Sequence, residues 1–226
     1  MESIISLQEV SKKYQLGDTE VEALRESNVG ISDGEFVAVM GPSGSGKSTL
    51  MNMIGALDTP TSGEVTISEE KISGLSEDEL ALLRSKKIGF IFQQFNLIPS
   101  MNATENVALP MLFRGVNKSE RTKRAEEILD DVGLADRLHH MPSELSGGQR
   151  QRVSIARSLA NDPDIILADE PTGNLDTETG EKIMDLLTEL NEEGKTIIMV
   201  THDENDAEYA DRIIKIVDGE TGVENE

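Results

Sequence analysis

At 226 residues and 24.7 kDa the chain has the size of one domain, or of one domain with a sizeable insertion, and enough length to bury a real core. Its 21 Lys and Arg stand against 43 Asp and Glu, a formal charge of −22 with a pI near 4.4, so its summed field repels nucleic acid. The absence of cysteine excludes disulfides, a thiolate nucleophile and cysteine metal sites, and no apolar run approaches the roughly 20 residues that cross a bilayer.

The start, Met1-Glu2-Ser3-Ile4, lacks the basic stretch, apolar core and cleavage site of a secretory signal, so a cytoplasmic location is expected. The acid excess reads as a solvated surface. A salty cytoplasm would tolerate it, because screening contracts to about 3 Å at 1 M salt. His139, His140 and His202 are too few and too scattered for a histidine metal cage.

Ile5 and Leu7 alternate with polar neighbours, as do Val65 and Ile67, which predicts half-buried strands in an antiparallel region. Continuous apolar runs at 36–40, 165–168 and 197–200 predict central strands covered on both faces. Helical segments alternate with these strands, the pattern of an α/β fold with a mostly parallel central sheet.

Directly after the first apolar run, Gly41-Pro42-Ser43-Gly44-Ser45-Gly46-Lys47-Ser48 matches the phosphate-loop pattern, and a helix bearing Leu50, Met53, Ile54 and Leu57 follows. Glycines let successive amides face inward, and the helix N-terminus adds roughly half a positive charge, so the loop can cradle a polyphosphate. Lys47 would reach the β- and γ-phosphates. Ser48 would place its hydroxyl on Mg²⁺, with Thr49 beside it on the same helix start.

Residues 100–145 contain no convincing strand, and Ala125, Ile128, Leu129 and Val132 fall at i, i+3, i+4 and i+7, which predicts a helical insertion between core segments 1–99 and 146–226. Leu145-Ser146-Gly147-Gly148-Gln149 then precedes a helix bearing Val153, Ala156, Leu159 and Ala160, with Ser146 at the N-cap position. On its own this is either an ordinary cap or a second anion-receiving helix start.

The run 165–168 ends in Asp169-Glu170, where open α/β sheets place ligands. Side chains alternate along a strand, so the two acids should divide their roles if the extended geometry persists. Asp169 is expected on Mg²⁺ and Glu170 on the water that attacks the γ-phosphate, which it would orient more than deprotonate, being a weak base. The plainer alternative is that both acids cap the turn before Pro171. Ile183, Leu186, Leu187 and Leu190 predict a helix ending near Gly194. After Thr201 the tail holds nine acids and two bases, with a final strand around 213–217.

The segment 145–149, the loop 41–48 and the strand 165–170 stand in the order and approximate spacing of the ATP-binding subunit of ABC transporters, which essentially the whole chain resembles. The resemblance implies a single 226-residue domain with a P-loop NTPase core, an N-terminal antiparallel β region and an inserted helical subdomain, acting as an ATPase with ATP and Mg²⁺. Tyr14, in Lys12-Lys13-Tyr14, resembles the aromatic that stacks on adenine. Gln93, in Phe92-Gln93-Gln94-Phe95, resembles the glutamine that binds Mg²⁺ and the attacking water and couples the site to the membrane partner. Asp176, in Asn174-Leu175-Asp176, resembles the aspartate that communicates between two subunits, and His202 the switch histidine on the γ-phosphate.

The same resemblance implies two chains packed head to tail, with ATP between the phosphate loop of one and segment 145–149 of the other. Glu170 and Ser146 would then act on one nucleotide from opposite subunits. A separate membrane permease would receive the motion in a groove between the helical insertion and the Gln93 region, holding the chain at the cytoplasmic face of the cell membrane. Residues 92–99 and 169–176 most resemble the lipoprotein-release and macrolide-export group, with its cell-division relative as the alternative. A different class of answer is a soluble phosphotransferase, for which segment 145–149 would have no purpose. A third is a regulatory or scaffold subunit, against which the presence of Lys47, Glu170 and His202 argues.

Overall fold

Alternation of polar and apolar side chains builds the N-terminal region as expected, and the elements follow in the order β1 (Ser3–Leu16), β2 (Thr19–Ser32), β3 (Phe36–Met40), α1 (Lys47–Ile54), β4 (Ser62–Ile67), β5 (Glu70–Lys71), α2 (Glu77–Lys87) and β6 (Ile88–Phe92). Then come α3 (Ala103–Phe113), α4 (Lys118–Asp131), 3₁₀ turns at Ala135–Arg137 and Pro142–Glu144, α5 (Gly147–Leu159), β7 (Ile165–Asp169) and α6 (Thr177–Glu192). The chain closes with β8 (Thr196–Val200), α7 (Glu204–Ala207), β9 (Arg212–Val217) and β10 (Glu220–Glu224). The computed structural model describes residues 3–17 and 19–224, so Met1 and Glu2 of the N-terminal reading and the last two residues of the acidic tail lie outside them. Contacts group into two compact units, Met1–Arg84 with Asn191–Glu226, and Ser85–Leu190.

In the first unit β1 pairs antiparallel with β2 and β4, and Leu7 sits opposite both Val29 and Val65. All three are buried, with Ile5, Ile31 and Ile67 on the same inner surface. The other strands of this unit run in the order β10-β9-β3-β8, with β3 parallel to both β8 and β9. Every residue of β8 is buried, as are four of the five in β3, which is why both read as unbroken apolar runs. The register opposes Val39 to Val200, so the segments after β3 and β8 leave from the same end.

The second unit pairs β6 and β7 in parallel, with Phe92 opposite Asp169, so Gln93 and Glu170 leave from neighbouring strand ends. Its helices enclose a separate core of Ala103, Val107 and Met111 on α3, Ala125, Ile128 and Leu129 on α4, and Val153 and Ala156 on α5. Asn102 and Glu105 form a capping box that starts α3, and Asn117 caps α4 by accepting from the Glu120 amide.

One helix boundary departs from expectation. α1 ends at Ile54, Ala56 follows in the left-handed region at φ 49, and Leu57 is 48% exposed rather than part of the apolar stripe. Strands β2, β6 and β10 and helix α2 have no counterpart in the sequence reading, whereas α3 falls inside the helical insertion expected at 100–145. The first half of β2 is largely solvent-exposed apart from Leu24, and in its alternating half a serine, Ser27, takes a buried position beside Val29 and Ile31, which breaks the apolar signature. In β6 the apolar run is interrupted by Gly89, whose missing Cβ would lie 2.6 Å from the Ser158 carbonyl oxygen.

Burying one Ile or Leu contributes about 1.5–3 kcal/mol, against about 0–1 kcal/mol for an exposed ion pair. Pairs such as Lys71–Glu64 and Lys182–Glu178 are exposed, so the apolar cores carry the stability and the net charge of −22 opposes it. Raising NaCl from about 0.1 M to about 1 M shortens the screening length from about 10 Å to about 3 Å. The thermal midpoint is expected to rise over that range, and a falling midpoint would mean that the attractive pairs outweigh the repulsion.

Candidate functional site

β3 delivers the chain into the phosphate loop, and the loop is shaped by what lies behind it. A Cβ at Gly41 would meet the Ile216 carbonyl oxygen at 2.1 Å, and one at Gly46 would meet the Ala23 carbonyl oxygen at 2.5 Å. Gly46 also has φ 111, which a side chain would resist. The turn between β9 and β10 braces the same place: the Gly219 amide donates to the Ser45 carbonyl at 2.9 Å, while the Gly219 carbonyl accepts from Arg25 N and Ser27 Oγ. This hairpin support was not foreseen, because β10 carries no apolar run.

Lys47 lies across the loop and donates to the carbonyls of Gly41 at 2.7 Å and Pro42 at 2.9 Å. Pro42, Ser43 and Gly44 are exposed along the rim, as is Ser48 on the first turn of α1, next to half-buried Thr49. Ser45 Oγ is buried and, among the described residues, has no hydrogen-bond partner. No side chain caps α1, and no acid stands in its first turn. A glycine-rich loop at an uncapped helix start, with an orphaned hydroxyl and one ammonium, fits a polyphosphate.

His202 follows β8 and is exposed. Its backbone is set from both sides, since Thr201 N donates to the Val39 carbonyl at 3.3 Å and Asp203 N donates to Thr201 Oγ1 at 3.0 Å. Tyr14 is held by a polar network. Its hydroxyl donates to Asp58 Oδ2 at 3.1 Å, Lys12 Nζ donates to Asp58 Oδ1 at 2.6 Å, and the same ammonium lies 5.1 Å from the Tyr14 ring centroid. Desolvation pushes the Asp58 carboxyl up, but the Lys12 hydrogen bond, the Thr59 amide, the Lys12 charge and the Tyr14 hydroxyl together hold it below the usual carboxylate range.

In the second unit Asp169 is the exposed last residue of β7, and the strand geometry stops there. Glu170 has φ 44, so the expectation that strand alternation would separate the two acids fails. A left-handed residue before Pro171 re-aims the carboxylate instead. A Cβ at Gly173 would lie 2.8 Å from Gln93 Nε2 and 3.4 Å from Glu170 Oε2, so both side chains converge on that glycine. Asn174 Nδ2 donates to the Gln93 carbonyl at 2.7 Å, and buried Gln151 of α5 donates to the Pro171 carbonyl at 2.6 Å.

Ser146 is the N-cap of α5. Its hydroxyl accepts from Gln149 N at 3.3 Å, and Gln149 Oε1 accepts from Ser146 N at 2.9 Å. With those two amides engaged, Gly147 and Gly148 present the first-turn N–H groups that have no helical partner. Segment 174–179 packs against them, for a Cβ at Gly148 would strike Thr179 Cγ2 at 2.4 Å and one at Gly147 would lie 3.3 Å from Leu175 Cδ2. Asp176 accepts from Thr179 N at 3.0 Å and from Thr179 Oγ1 at 2.7 Å, and these bonds lower its pKa.

The structure thus groups Gln93 with Glu170, Asp176 with the Ser146 helix start, and His202 with the phosphate loop on adjacent strand ends. Asp58, Gln151, Gly173 and Asn174 position these residues and were not singled out for it. Gln151, Ser154 and Ser158 form a buried polar stripe on α5, which in a sequence is indistinguishable from a solvated face. Among the described residues no three His, Cys, Asp or Glu side chains gather as a metal cage. Ser48, Gln93 and Asp169 are oxygen donors suited to Mg²⁺, an ion that takes few protein ligands alongside phosphates and water.

A family model described as ABC transporter matches residues 24–173. The uncharacterized ABC transporter ATP-binding protein MJ0796 of Methanocaldococcus jannaschii is 56% identical over 222 residues, covering 96% of this chain and 94% of that one. A dimeric structure of a post-hydrolysis state of the ATP-binding cassette MJ0796 bound to ADP and Pi matches with a TM-score of 0.90 at 53% identity, covering 98% of each chain. The macrolide export ATP-binding/permease protein MacB of Mannheimia succiniciproducens is 53% identical over 218 residues, 96% of this chain and 34% of its own.

Because the folded-state pKa of Asp58 is depressed, the contribution of its network is complete above the unfolded-state value of about 3.9. It is lost only as pH falls through the lower, folded-state value. The chain has no tryptophan and two tyrosines, Tyr14 and Tyr209, so in a Tyr209→Phe background tyrosine emission reports on Tyr14 directly. Emission is expected to stay flat between pH 5 and 8 and to change below about pH 4, and Asp58→Asn should abolish the component of that transition due to Tyr14.

Proposed function

The chain belongs to the ABC transporter family as an ATP-binding ATPase, and from that premise we propose that it powers a membrane permease of the lipoprotein-release or macrolide-export kind. Two copies close head to tail around ATP and open when it is hydrolysed. Family membership sets aside the soluble phosphotransferase.

The observation that carries this reading concerns acids. Helices α2, α3, α4, α6 and α7 all have an acidic residue in the first turn, as expected from favourable charge–dipole pairing. Among the described helices only α1 and α5 have none. In a chain with 43 acids, the two glycine-lined helix starts are the ones kept clear for an external anion. One triphosphate gripped by α1 of one copy and by α5 of another uses both. The dimeric, ADP- and Pi-bound relative supports that arrangement.

On this reading Gly41, Pro42, Ser43, Gly44, Ser45 and Gly46 wrap the phosphates and Tyr14 stacks on adenine. Lys47 neutralises the β- and γ-phosphates, with Thr49 at the helix start beside them. Ser48, Gln93 and Asp169 hold Mg²⁺, which when bound offsets the charge developing on the transferred phosphoryl group. Glu170 orients the attacking water and His202 donates to the γ-phosphate, so that ATP and water give ADP and phosphate. Ser146, Gly147, Gly148 and Gln149 reach the same γ-phosphate from the partner copy, and Asp176 links the two sites. Loss of the shared phosphate contacts then lets the pair open.

Residues 100–145 serve as the helical insertion of one 226-residue cassette. The permease seats between that insertion and the Gln93 region, where Leu112 and Phe113, 46% and 80% exposed at the end of α3, supply an apolar foothold. Among the described residues no helix is long and apolar enough to cross a membrane. On this reading the permease holds the chain at the cytoplasmic face. The match to MacB, of which this chain spans about a third, favours the export and release group over its cell-division relative.

Glu170→Gln is expected to bind ATP, lose most hydrolysis and run as a dimer on size exclusion with Mg-ATP, whereas a monomer at saturating nucleotide would defeat the head-to-tail reading. Gly173→Ala places a methyl where the Gln93 amide and the Glu170 carboxylate converge. It should lower kcat by roughly tenfold to a hundredfold with little change in thermal midpoint, because only the ends of flexible side chains must move.

A further inference from the structure

Beyond β6 the chain turns through two consecutive left-handed residues, neither of them glycine: Phe95 at φ 59 and Asn96 at φ 48. A bulky residue adopts such a backbone only where its surroundings over-determine it. Local hydrogen bonds close part of the turn, from Phe95 N to the Phe92 carbonyl at 3.1 Å and from Asn96 N to the Gln94 carbonyl at 2.6 Å. The rest of the restraint comes from α5. Arg157 spreads its guanidinium over both left-handed residues, with Nη1 donating to the Asn96 carbonyl at 2.6 Å and Nη2 to the Phe95 carbonyl at 2.8 Å. Nη2 also reaches Ser154 Oγ on its own helix at 3.4 Å. Two turns nearer the start of α5, the Arg150 guanidinium lies 5.2 Å from the centroid of the Phe95 ring.

A planar fork that satisfies two successive carbonyls is a geometry that a lysine cannot reproduce, since its ammonium is a point donor. The turn it holds begins at Gln93, whose carbonyl is gripped from the other side by Asn174. We propose that Arg157 is a positioning residue for ATP hydrolysis: by holding the left-handed turn at Phe95 and Asn96 it sets where the Gln93 side chain lies. Through it the helix that begins at Ser146 and the loop that carries Gln93 move as one piece. A displacement of the loop by a partner is passed along α5 to its first turn, and closure on nucleotide at that first turn is passed back. The inference rests on the assignment of Gln93 to the hydrolytic site.

The test is a double-mutant cycle on kcat and KM for ATP hydrolysis, using Arg157→Met, Arg157→Lys, Gln93→Ala and the combination of Arg157→Met with Gln93→Ala. Rates are normalised to the fraction of protein that binds nucleotide. Arg157→Met should lower kcat on the order of tenfold with KM within about twofold, Arg157→Lys should fall between it and the parent, and the combined variant should be no slower than Gln93→Ala alone. A parent-like kcat in Arg157→Met overturns the proposal. So does a combined variant slowed by the product of the two single effects, the outcome of a merely structural arginine. If Gln93→Ala itself keeps full kcat, the fault lies in the Gln93 assignment, and the inference falls with it. Should Arg157→Met fail to fold, Arg157→Lys carries the same cycle.

Discussion

Holding a polyanion on a chain of net charge −22 is the constraint on which the rest of this architecture depends. The long-range field opposes capture, but beyond about 10 Å at 0.1 M salt it is screened, so attraction has to be built locally. Backbone amides at a helix start do this without side chains, provided that nothing anionic already occupies them. The glycines of the phosphate loop, the close carbonyls of Ala23 and Ile216 behind them and the acid-free first turn of α1 meet that requirement, as does the acid-free start of α5 on the head-to-tail reading proposed above.

Hydrolysis imposes a different demand, that a few oxygen and nitrogen atoms be held to within fractions of an ångström. The loops after β6 and β7 are short, exposed in part and strained, with Phe95, Asn96 and Glu170 all at positive φ. Their order comes from α5, whose long polar side chains reach outward. Gln151 reaches the Pro171 carbonyl, Arg157 the Phe95 and Asn96 carbonyls, and Arg152 the Val132 carbonyl at the end of α4. The helix capped at Ser146 therefore also sets the loops that carry Gln93 and Glu170, with its apolar face anchored in the helical core.

Much of this was legible in the residue order. Unbroken apolar runs announce β3, β7 and β8 because both faces of those strands are covered, and the phosphate loop, the capped start of α5 and the Asp169-Glu170 pair are contiguous patterns whose chemistry is local. The apolar spacing overstates α1 by about one turn, since Leu57 keeps the helical spacing after the backbone has left the helix at Ala56. β2 has no continuous apolar signature, because its first half is largely exposed and a buried serine, Ser27, interrupts its alternation.

Contiguity also marks where reading must stop. Nothing in the string ties Arg157 to Asn96, Tyr14 to Asp58 or Gly219 to Ser45, since each pair is far apart along the chain and joined by a single carbonyl, carboxylate or amide. Nor does it disclose that Glu170 abandons the strand, because the left-handed turn before Pro171 is imposed by surroundings rather than by the preference of a glutamate. Residue order is enough to propose the groups that would meet a nucleotide, as local amides and short motifs act through their neighbours in sequence. Their aim is set by hydrogen bonds that exist only once distant segments have packed.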